Sequence, residues 1–301
     1  MEPSHFLCPA CGAQSDSVPL AVPDYEYGLE HVAQYAGCSG CLTLFQQPMP
    51  SLRELASFYP PTYHAAVGQG WLGRLRHDLR LRRLLALGLG RGAVLDYGCG
   101  NGDFLVRAAA RSPGRRYFGF EVSEQRESVT RAEGAVTIFR GDVDGLIDML
   151  PECSLITMNH VIEHLPDPAS VLARLLPRLA PGGVLEGQTP ASDSLEHRVF
   201  GSRWSGFHAP RHTVVFSRAG LARMLGTCGF ADVKVTTAFN PAGLAVSLAS
   251  LSQAAGRGSI RRAGAAWLAW LALASVLAPI DLLSGSPAIV DFSARRPAKE
   301  S

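Results

Sequence analysis

Residues 94–102, VLDYGCGNG, are the part of the sequence that most clearly indicates the fold. Its apolar start predicts a buried strand, and three glycines at alternate positions follow before the amphipathic run DFLVRAAA. Glycines let a backbone approach a ligand closely, and the N-terminus of a helix favours negative charge. The stretch therefore predicts a strand, a ligand-binding turn and a helix. It departs from a dinucleotide-binding fingerprint, because Asp103 stands where that pattern has its third glycine.

Short apolar runs alternate with longer amphipathic segments over residues 91–240. After VLDYG, the apolar runs are YFGFEV, VTIFRGD, SLITMNH and GGVLEGQTP. We expect these runs to be buried strands and the segments between them to be helices. This alternation predicts an α/β fold in which helices cover both faces of a parallel sheet.

The glycine stretch resembles motif I of the class I S-adenosylmethionine-dependent methyltransferases, D-x-G-x-G-x-G, with Asp96 as its acid. PGGVL at 181–185 resembles the turn into the fifth strand of that family. The resemblance covers residues 8–240 and a last strand, and it places the sixth and seventh strands at 232–239 and 288–295. It implies a Rossmann-like, seven-stranded, mostly parallel sheet whose last strand is antiparallel.

The same resemblance implies S-adenosyl-L-methionine as the cofactor. In the family, the glycine loop wraps the methionine and ribose parts, and the acid that ends the second strand, here Glu121, accepts the ribose hydroxyls. An acid after the third strand meets the adenine amino group. The implied cofactor-binding residues are Asp96, Gly98, Gly100, Asn101, Gly102, Glu121, Asp142, Val143 and Asn159.

A first candidate for catalysis is HVIEHLPDP, residues 160–168, which is similar to an EHLPDP-type signature of this family. Its residues His160, Glu163 and His164 have the i, i+3, i+4 spacing of one helix face. Three roles stay open: a brace of the helix, acid–base catalysis, or a divalent metal site. The last resembles that of RNA 3′-end methylases, which carry a glutamate where this chain has His160.

A second candidate is the loop EHRVFGSRWSGFHAPRHTVVFS, residues 196–217, which follows the fifth strand and holds three histidines. Loops at the carboxyl ends of parallel strands bind substrates in open α/β sheets. We expect the acceptor to be held by His160, Trp204 and Arg211. A base, or a residue that orients the acceptor, is expected among His164, His208 and His212. The alternative is a packed loop whose imidazoles bond to the backbone.

Two CxxC knuckles stand near the N-terminus, CPAC at 8–11 and CSGC at 38–41. Four thiolates suit a tetrahedral zinc ion, and a site closed by four protein ligands is structural. The pattern predicts a zinc ribbon held by Cys8, Cys11, Cys38 and Cys41, with His31 as a weaker alternative ligand. The other three cysteines have no such spacing, so a disulfide framework is not predicted.

These features divide the chain into a zinc-ribbon-like module at 1–48, a helical linker at 49–90 and a methyltransferase domain at 91–301. An apolar helical insertion interrupts that domain at about 241–285, and it contains 18 uncharged residues from 263 to 280. That length is at the lower edge of a membrane span. We expect a helical hairpin that packs on the domain, contacts a second copy of the chain, or lies on a membrane surface.

The composition narrows the function. Hydrophobic residues make up 47% of the chain, which excludes a disordered protein, and the net charge of +2 gives no electrostatic footprint for nucleic acid. The N-terminus lacks the pattern of a signal peptide, so we expect a cytoplasmic protein, with membrane association through the insertion as an option. The sequence predicts a methyltransferase for a small-molecule, sugar or glycan, or lipid-linked acceptor. Two alternatives stay open: an RNA methyltransferase that grips RNA with its ribbon, and a non-catalytic cofactor-binding scaffold.

Overall fold

A computed structural model of the chain describes residues 6–15, 17–59, 71–85, 92–122, 127–141, 147, 150–253, 260 and 265–298. The strands, in chain order, are β1 (Phe6–Leu7), β2 (Gln14–Ser15), β3 (Leu20–Pro23), β4 (Val32–Gly37), β5 (Leu44–Gln46), β6 (Ala93–Tyr97), β7 (Tyr117–Val122), β8 (Glu127–Arg131), β9 (Val136–Gly141), β10 (Cys153–Asn159), β11 (Leu179–Pro190), β12 (Val214–Val215), β13 (Ala231–Ala238) and β14 (Ile289–Arg295). The helices are α1 (Leu52–Ser57), α2 (Trp71–Leu85), α3 (Asp103–Arg111), α4 (Pro168–Leu175), α5 (Leu195–Phe200), α6 (Arg218–Thr227), α7 (Pro241–Ser250) and α8 (Ala265–Leu283).

The central sheet has the strand order β13-β14-β11-β10-β6-β7-β9-β8. Strands β9, β7, β6, β10 and β11 are parallel to one another, and β14 lies antiparallel between β11 and β13. Chain order reverses direction at β6, so the glycine turn that follows β6 lies at the switch point where open α/β sheets bind ligands. The predicted α/β Rossmann-like fold with an antiparallel last strand is confirmed.

The sheet has one strand more than the seven predicted. We expected a helix between the second and third strands, but residues 127–131 form β8, an antiparallel edge strand on β9. The β-branched Val129 and Thr130 favour extended backbone there. A tight turn at 132–134, ending at Gly134 with φ +90°, then returns the chain directly into β9. That prediction of a helix was wrong for these residues.

Helix α3 follows the glycine turn as predicted. Its buried residues Phe104, Leu105, Ala108 and Ala109 recur at helical spacing and pack on the sheet. All five residues of β6 are buried, and Val94 shares a core cluster with these residues of α3. The strand, turn and helix of residues 93–111 therefore form one packed unit that presents the glycines at the carboxyl edge of the sheet.

Helix α2 is held on the sheet by charge. Asp96, Thr157 and Glu186 lie side by side in register on β6, β10 and β11. Arg80 of α2 reaches this row, with its Nη2 at 3.6 Å from Asp96 Oδ1 and 3.9 Å from Glu186 Oε2. Arg83, one turn later, bonds Glu186 and also Asp291 of β14. Buried carboxylates need such partners, so the two arginines fix the helix across the sheet.

The N-terminal module shares a sheet with the rest of the chain. Its strands β3, β4 and β5 form a meander, and β12, which follows the histidine-bearing loop, adds antiparallel to β5 in the order β12-β5-β4-β3. A separate hairpin, β1-β2, carries the first cysteine knuckle. The predicted boundary at residue 48 therefore separates two parts that complete one sheet.

Two helices form the insertion between β13 and β14. Ala274 and Ala278 of α8 are buried against Leu244 and Ala245 of α7, so small residues line the contact. Helix α8 is long and apolar enough to cross a membrane by length and composition, and 11% of its most apolar 18-residue window is buried. Most of α8 is thus an exposed apolar surface. Arg257, Arg261 and Arg262, which precede α8 in the sequence, lie outside the described residues.

Candidate cofactor and acceptor site

The glycine loop contains a cradle for a ligand. All three glycines have positive φ, and a Cβ at Gly98 would lie 2.4 Å from Val161 Cγ2, while one at Gly102 would lie 2.2 Å from Ile138 Cδ1. A Cβ at Gly100 would meet nothing within 4 Å. The outer glycines therefore permit close packing of the loop, and Gly100 borders open space that a cofactor can fill.

Two predicted cofactor residues meet at this loop. Glu121, at the end of β7, accepts a hydrogen bond of 2.6 Å from the Gly100 N–H. Asn101 donates to Asp103 at 2.8 Å, which closes the turn into α3. Asn159 ends β10 beside Gln188 in register. Asp142 and Val143 lie outside the described residues. The cradle at Gly100 and the carboxylate beside it fit S-adenosylmethionine, whose ribose hydroxyls need an acceptor of this kind.

Asp96 has a different environment from the one predicted. Its carboxylate is buried, accepts a hydrogen bond from Thr157 Oγ1 and faces Arg80. Burial raises the pKa of Asp96, and the charge of Arg80 opposes that rise. Asp96 thus anchors the strand below the glycine loop through the network that holds α2.

We define the histidine cluster as Glu163, His164, His208 and His212. The ring centroids of His164 and His212 are 4.6 Å apart, and those of His208 and His212 are 5.1 Å apart. The contact between Gly98 and Val161 places the segment after β10 directly against the glycine loop. The segments after β10 and β11 therefore converge next to the cofactor loop, as the sequence predicts for strand-end loops.

Each of the three rings of the cluster uses its Nδ1. The Nδ1 of His164 lies 3.0 Å from Arg211 O, that of His212 lies 2.7 Å from Gly206 O, and that of His208 lies 2.7 Å from Glu26 Oε1. Carbonyl and carboxylate oxygens accept hydrogen bonds, so Nδ1 carries the proton in His208 and His212, and it does so in His164 when Tyr59 OH, 2.8 Å from that nitrogen, acts as an acceptor. The lone pair of each neutral ring is then on Nε2.

Burial sets the charge of these rings. It lowers the pKa of His164 to about 4 and that of His208 to about 3, and it holds the pKa of His212 well below its usual value. Burial acts in the opposite sense on Glu163, but hydrogen bonds, foremost the one from His160, and the neighbouring imidazoles together lower the pKa of this carboxyl. At neutral pH the cluster therefore combines neutral imidazoles with one carboxylate.

Glu163 is fully buried and is held from two sides. Its Oε1 lies 3.2 Å from His160 Nδ1, and its Oε2 accepts a hydrogen bond of 2.9 Å from Thr189 Oγ1. The other ring nitrogen of His160 lies 3.0 Å from Gln188 Oε1. The predicted helix face is instead a single 3-10 turn at Ile162–His164. Pro166 explains the difference, since the residue before a proline adopts extended backbone.

The structure assigns Arg211 and Trp204 to packing rather than to the predicted acceptor contacts. The guanidinium of Arg211 is fully buried and donates to Asp24 Oδ2 at 2.7 Å, Phe58 O at 2.9 Å and Ala209 O at 3.1 Å. Trp204 is 2% exposed and lies in an aromatic cluster with His197 and Phe207. Neither side chain presents a group to an acceptor, because both are used within the fold.

Sequence reasoning missed the residues that the N-terminal region contributes to this site. Glu26 pairs with His208, and Asp24 pairs with Arg211. Tyr59 OH lies 2.8 Å from His164 Nδ1. Glu26 and His208 are separated by 182 positions. No local spacing connects them, and the two acids in the DYEY segment are the one signal that the sequence offers.

The four cysteines of the knuckles converge. The Sγ atoms of Cys8 and Cys41 are 3.7 Å apart, and those of Cys11 and Cys38 are 3.5 Å apart, with all four within 4.8 Å. Sulfur atoms around a tetrahedral zinc ion with bonds of about 2.3 Å are about 3.8 Å apart. The donor set and its spacing therefore fit structural zinc.

The second knuckle supports the loop that carries the histidines. Ser217, the N-cap of α6, donates its hydroxyl to Cys41 O, and Ser192 donates to Leu42 O at 2.6 Å. Burial opposes ionisation of Cys11, but hydrogen bonds from Ala13 and the other cysteines lower its pKa to about 7. The second knuckle thus contributes two of the four candidate metal ligands and also bonds Ser192 and Ser217, which flank the histidine-bearing loop.

The sheet order, the glycine cradle and Glu121 define a class I S-adenosylmethionine-dependent methyltransferase. A family model described as a methyltransferase domain matches residues 72–235, which is more than half of the chain. The chain therefore belongs to this family of methyltransferase domains.

Relatives agree with that class. The trans-aconitate 2-methyltransferase of Deinococcus radiodurans is 28% identical over 160 residues, which cover 49% of this chain and 62% of that protein. The ubiquinone biosynthesis O-methyltransferase of Methylococcus capsulatus is 36% identical over 102 residues, which cover 32% of this chain and 42% of that protein. The chain thus spans less than two thirds of the length of these curated relatives.

A solved structure shares the fold. The phosphoethanolamine N-methyltransferase 2 of Haemonchus contortus, in complex with S-adenosyl-L-methionine, aligns with a TM-score of 0.51 at 15% sequence identity. The alignment covers 84% of this chain and 62% of that one. At this identity the likeness supports the architecture alone.

The cradle at Gly100 generates a first prediction. In Gly100→Val, a branched side chain enters the open space beside Glu121, so we expect the affinity for S-adenosylhomocysteine to fall about tenfold or more. Gly114→Val is the matched control, because Gly114 also has positive φ, at +85°, and open space but lies between α3 and the start of β7. Calorimetry that found equal affinities for both variants would contradict the assignment of the cradle.

The zinc site generates a second prediction. Cys11→Ser should lose one zinc ion per chain by elemental analysis and lower the melting temperature, because a structural metal contributes directly to folding. Its affinity for S-adenosylhomocysteine should remain close to wild type, since the glycine loop follows β6 of the central sheet and the cysteines belong to the N-terminal module. Cys228→Ser, which changes a cysteine outside the knuckles, should keep the metal. Wild-type protein purified without chelator that contained no zinc would refute the site.

Proposed function

We propose that the protein transfers a methyl group from S-adenosylmethionine to an oxygen atom of an acceptor held at the histidine cluster. The observation that carries this proposal is the pairing of His208 Nδ1 with Glu26 Oε1 at 2.7 Å. A base whose second nitrogen is held by a carboxylate is oriented for proton removal, and the carboxylate stabilises the imidazolium that forms. Among oxygen acceptors, a hydroxyl is the kind that needs such a base, because it must lose a proton, whereas a carboxylate is already ionised at neutral pH.

The relatives support an oxygen acceptor. One is named as an O-methyltransferase, and another is named for trans-aconitate, a carboxylic acid. In small metabolites, sugars and glycans, the oxygen atoms that can accept a methyl group belong to hydroxyl or carboxylate groups. We therefore propose a small-molecule, sugar or glycan, or lipid-linked acceptor, and we give the zinc ribbon a structural role rather than an RNA-binding one.

We assign separate roles to the residues that bind the cofactor, remove the proton and orient the acceptor. Gly100 and Glu121 hold the cofactor, which supplies an electrophilic methyl group when bound. His208 takes the proton of the acceptor. His164 and His212 bond backbone carbonyls through Nδ1 and keep Nε2 for orienting the acceptor. Burial lowers the pKa of His208, but of the three rings His208 alone has a carboxylate on Nδ1 that would stabilise its imidazolium, which is why we assign it as the base.

We also propose that α8 meets a membrane surface and that the protein is cytoplasmic. Large apolar side chains stand on the outer face of α8, including Leu268 at 64%, Val276 at 74% and Leu283 at 87% exposure. An exposed apolar patch of this kind marks a site of interaction. A membrane contact there fits a lipid-linked acceptor, and a dimer through α8 is the competing outcome.

The assignment of His208 predicts a specific loss of activity. In His208→Gln, the amide can still bond Glu26 but cannot accept a proton. We expect turnover to fall by about 10² to 10⁴ while the affinity for S-adenosylhomocysteine stays unchanged. The measurement uses cofactor labelled on its methyl group and a panel of hydroxyl acceptors, with trans-aconitate as a control whose ionised carboxylates have no proton to lose.

A matched variant separates catalysis from packing. His197 is another imidazole of the same loop, and its Nδ1 bonds Ser192 O at 2.6 Å. We expect His197→Gln to keep its turnover even if its melting temperature falls. If His208→Gln turned over like wild type on a hydroxyl acceptor, the proposed base would be wrong.

The surface of α8 gives a further prediction. The double variant Leu268→Asp/Val276→Asp should lose cosedimentation with phosphatidylglycerol vesicles, because two charges on an apolar face oppose insertion into lipid. Val18→Asp is the control, since Val18 is 91% exposed but lies in the N-terminal module. Wild-type protein that ignored vesicles and formed a dimer sensitive to the same double variant would contradict the membrane contact.

A further inference from the structure

We propose a second metal site, in which Glu163, His164 and His212 bind a divalent transition-metal ion on the acceptor side of the cofactor loop. One ligand atom from each of these residues lies within 4.8 Å of the other two. Bonds of nitrogen and carboxylate oxygen to zinc are about 2.0 to 2.2 Å long. The three atoms would reach bonding distance of such an ion by moving less than about 1 Å each.

The groups around the three residues are those of a metal site. Ligating imidazoles hold their other nitrogen on a backbone or carboxylate oxygen, which fixes the ring and the tautomer. His164 bonds Arg211 O in this way, and His212 bonds Gly206 O. The second oxygen of Glu163 is likewise held by Thr189 Oγ1. Each candidate ligand is therefore oriented by an outer partner, with a donor atom left for the ion.

The charge of Glu163 is a separate argument. This carboxylate is fully buried, and its Oε1 lies 3.2 Å from the imidazole of His160 and 3.9 Å from that of His212. Across the described residues no arginine or lysine pairs with it, in contrast to the buried acids Asp96 and Glu186. A buried carboxylate is costly without a cation. A bound metal ion supplies that charge.

The donor set indicates the class of ion. Two neutral imidazoles and one carboxylate suit zinc, manganese, iron or cobalt, whereas magnesium and calcium prefer oxygen alone. Four thiolates close the ribbon site, but three protein ligands leave a position open. The two sites therefore differ in their donor atoms and in whether the ion can bind a further ligand.

The open position gives the ion a role in catalysis. This step rests on the proposed function, whereas metal binding itself does not. A hydroxyl of the acceptor that binds the ion through oxygen becomes more acidic. It then loses one proton to His208, and the oxygen stays on the ion as the nucleophile. His164 and His212 would thus orient the acceptor through the metal, and His160 would position Glu163.

Cobalt(II) tests the site without any acceptor. Metal-free protein would be titrated anaerobically with cobalt(II), and bound cobalt would be counted by elemental analysis and followed by absorption spectroscopy. We expect two ions per chain in the wild type. Only the ribbon ion should give thiolate-to-cobalt charge-transfer absorption, because the second site contains no sulfur.

Variants assign each ion. Glu163→Gln keeps the size of the side chain and should bind one cobalt ion that retains the thiolate band. Cys8→Ser should bind one ion without that band. His197→Asn, which changes an imidazole outside the cluster, should bind two ions.

Two results would overturn the proposal. The first is a wild-type protein that binds a single cobalt ion with thiolate absorption, which needs no variant to fold. The second is a second ion that Glu163→Gln and His164→Gln both leave in place, because that ion would lie elsewhere. A third result bears on catalysis only. If Glu163→Gln, incubated with excess metal, methylated a hydroxyl acceptor at the wild-type rate, the proposed catalytic role of the second ion would be wrong, but metal binding would not be contradicted.

Discussion

The buried guanidinium of Arg211 is the interaction on which the acceptor side of this protein depends. It joins Asp24 of the N-terminal module, the backbone at Phe58 and the turn at Ala209. Removing one partner of a buried ion pair typically costs about 3 to 5 kcal/mol, because the other charge is left unpaired. The pair therefore fixes the histidine-bearing loop to the module, and the positions of His208 and His212 follow from it.

The N-terminal module, which contains the four cysteines, supports the histidine-bearing loop. The module completes its sheet with β12, supports the start of α6 through Ser217, and holds His208 through Glu26. A zinc ion held by the four cysteines would provide rigidity that a small module could not obtain from its own apolar core. The sheet of the methyltransferase domain then presents the cofactor loop, and the ribbon presents the opposite wall of the site.

Sequence reasoning succeeded where the chemistry is local. The glycine spacing at 98–102 predicted the strand, turn and helix, and the cysteine spacing predicted a convergence of four sulfurs. It also placed the histidines of two loops together, because parallel strands share a carboxyl edge. It could not find Glu26 or show that Arg211 faces Asp24, since neither pair is close in sequence. Sequence reasoning missed the edge strand β8 because the short turn at 132–134 places that strand beside β9. A search for helical periodicity does not detect such a turn.

Hydrogen exchange in Cys8→Ser is the most direct test of the account, which holds that the ribbon shapes the acceptor loop. Cys8 lies in the first knuckle, so this change removes a candidate ribbon ligand and leaves every residue of 204–217 unaltered. Amides of residues 204–217 should exchange faster than in the wild type, while those of β6, β7 and α3 should keep their protection. Unchanged exchange across 204–217 in a variant whose N-terminal module has lost protection would contradict the account.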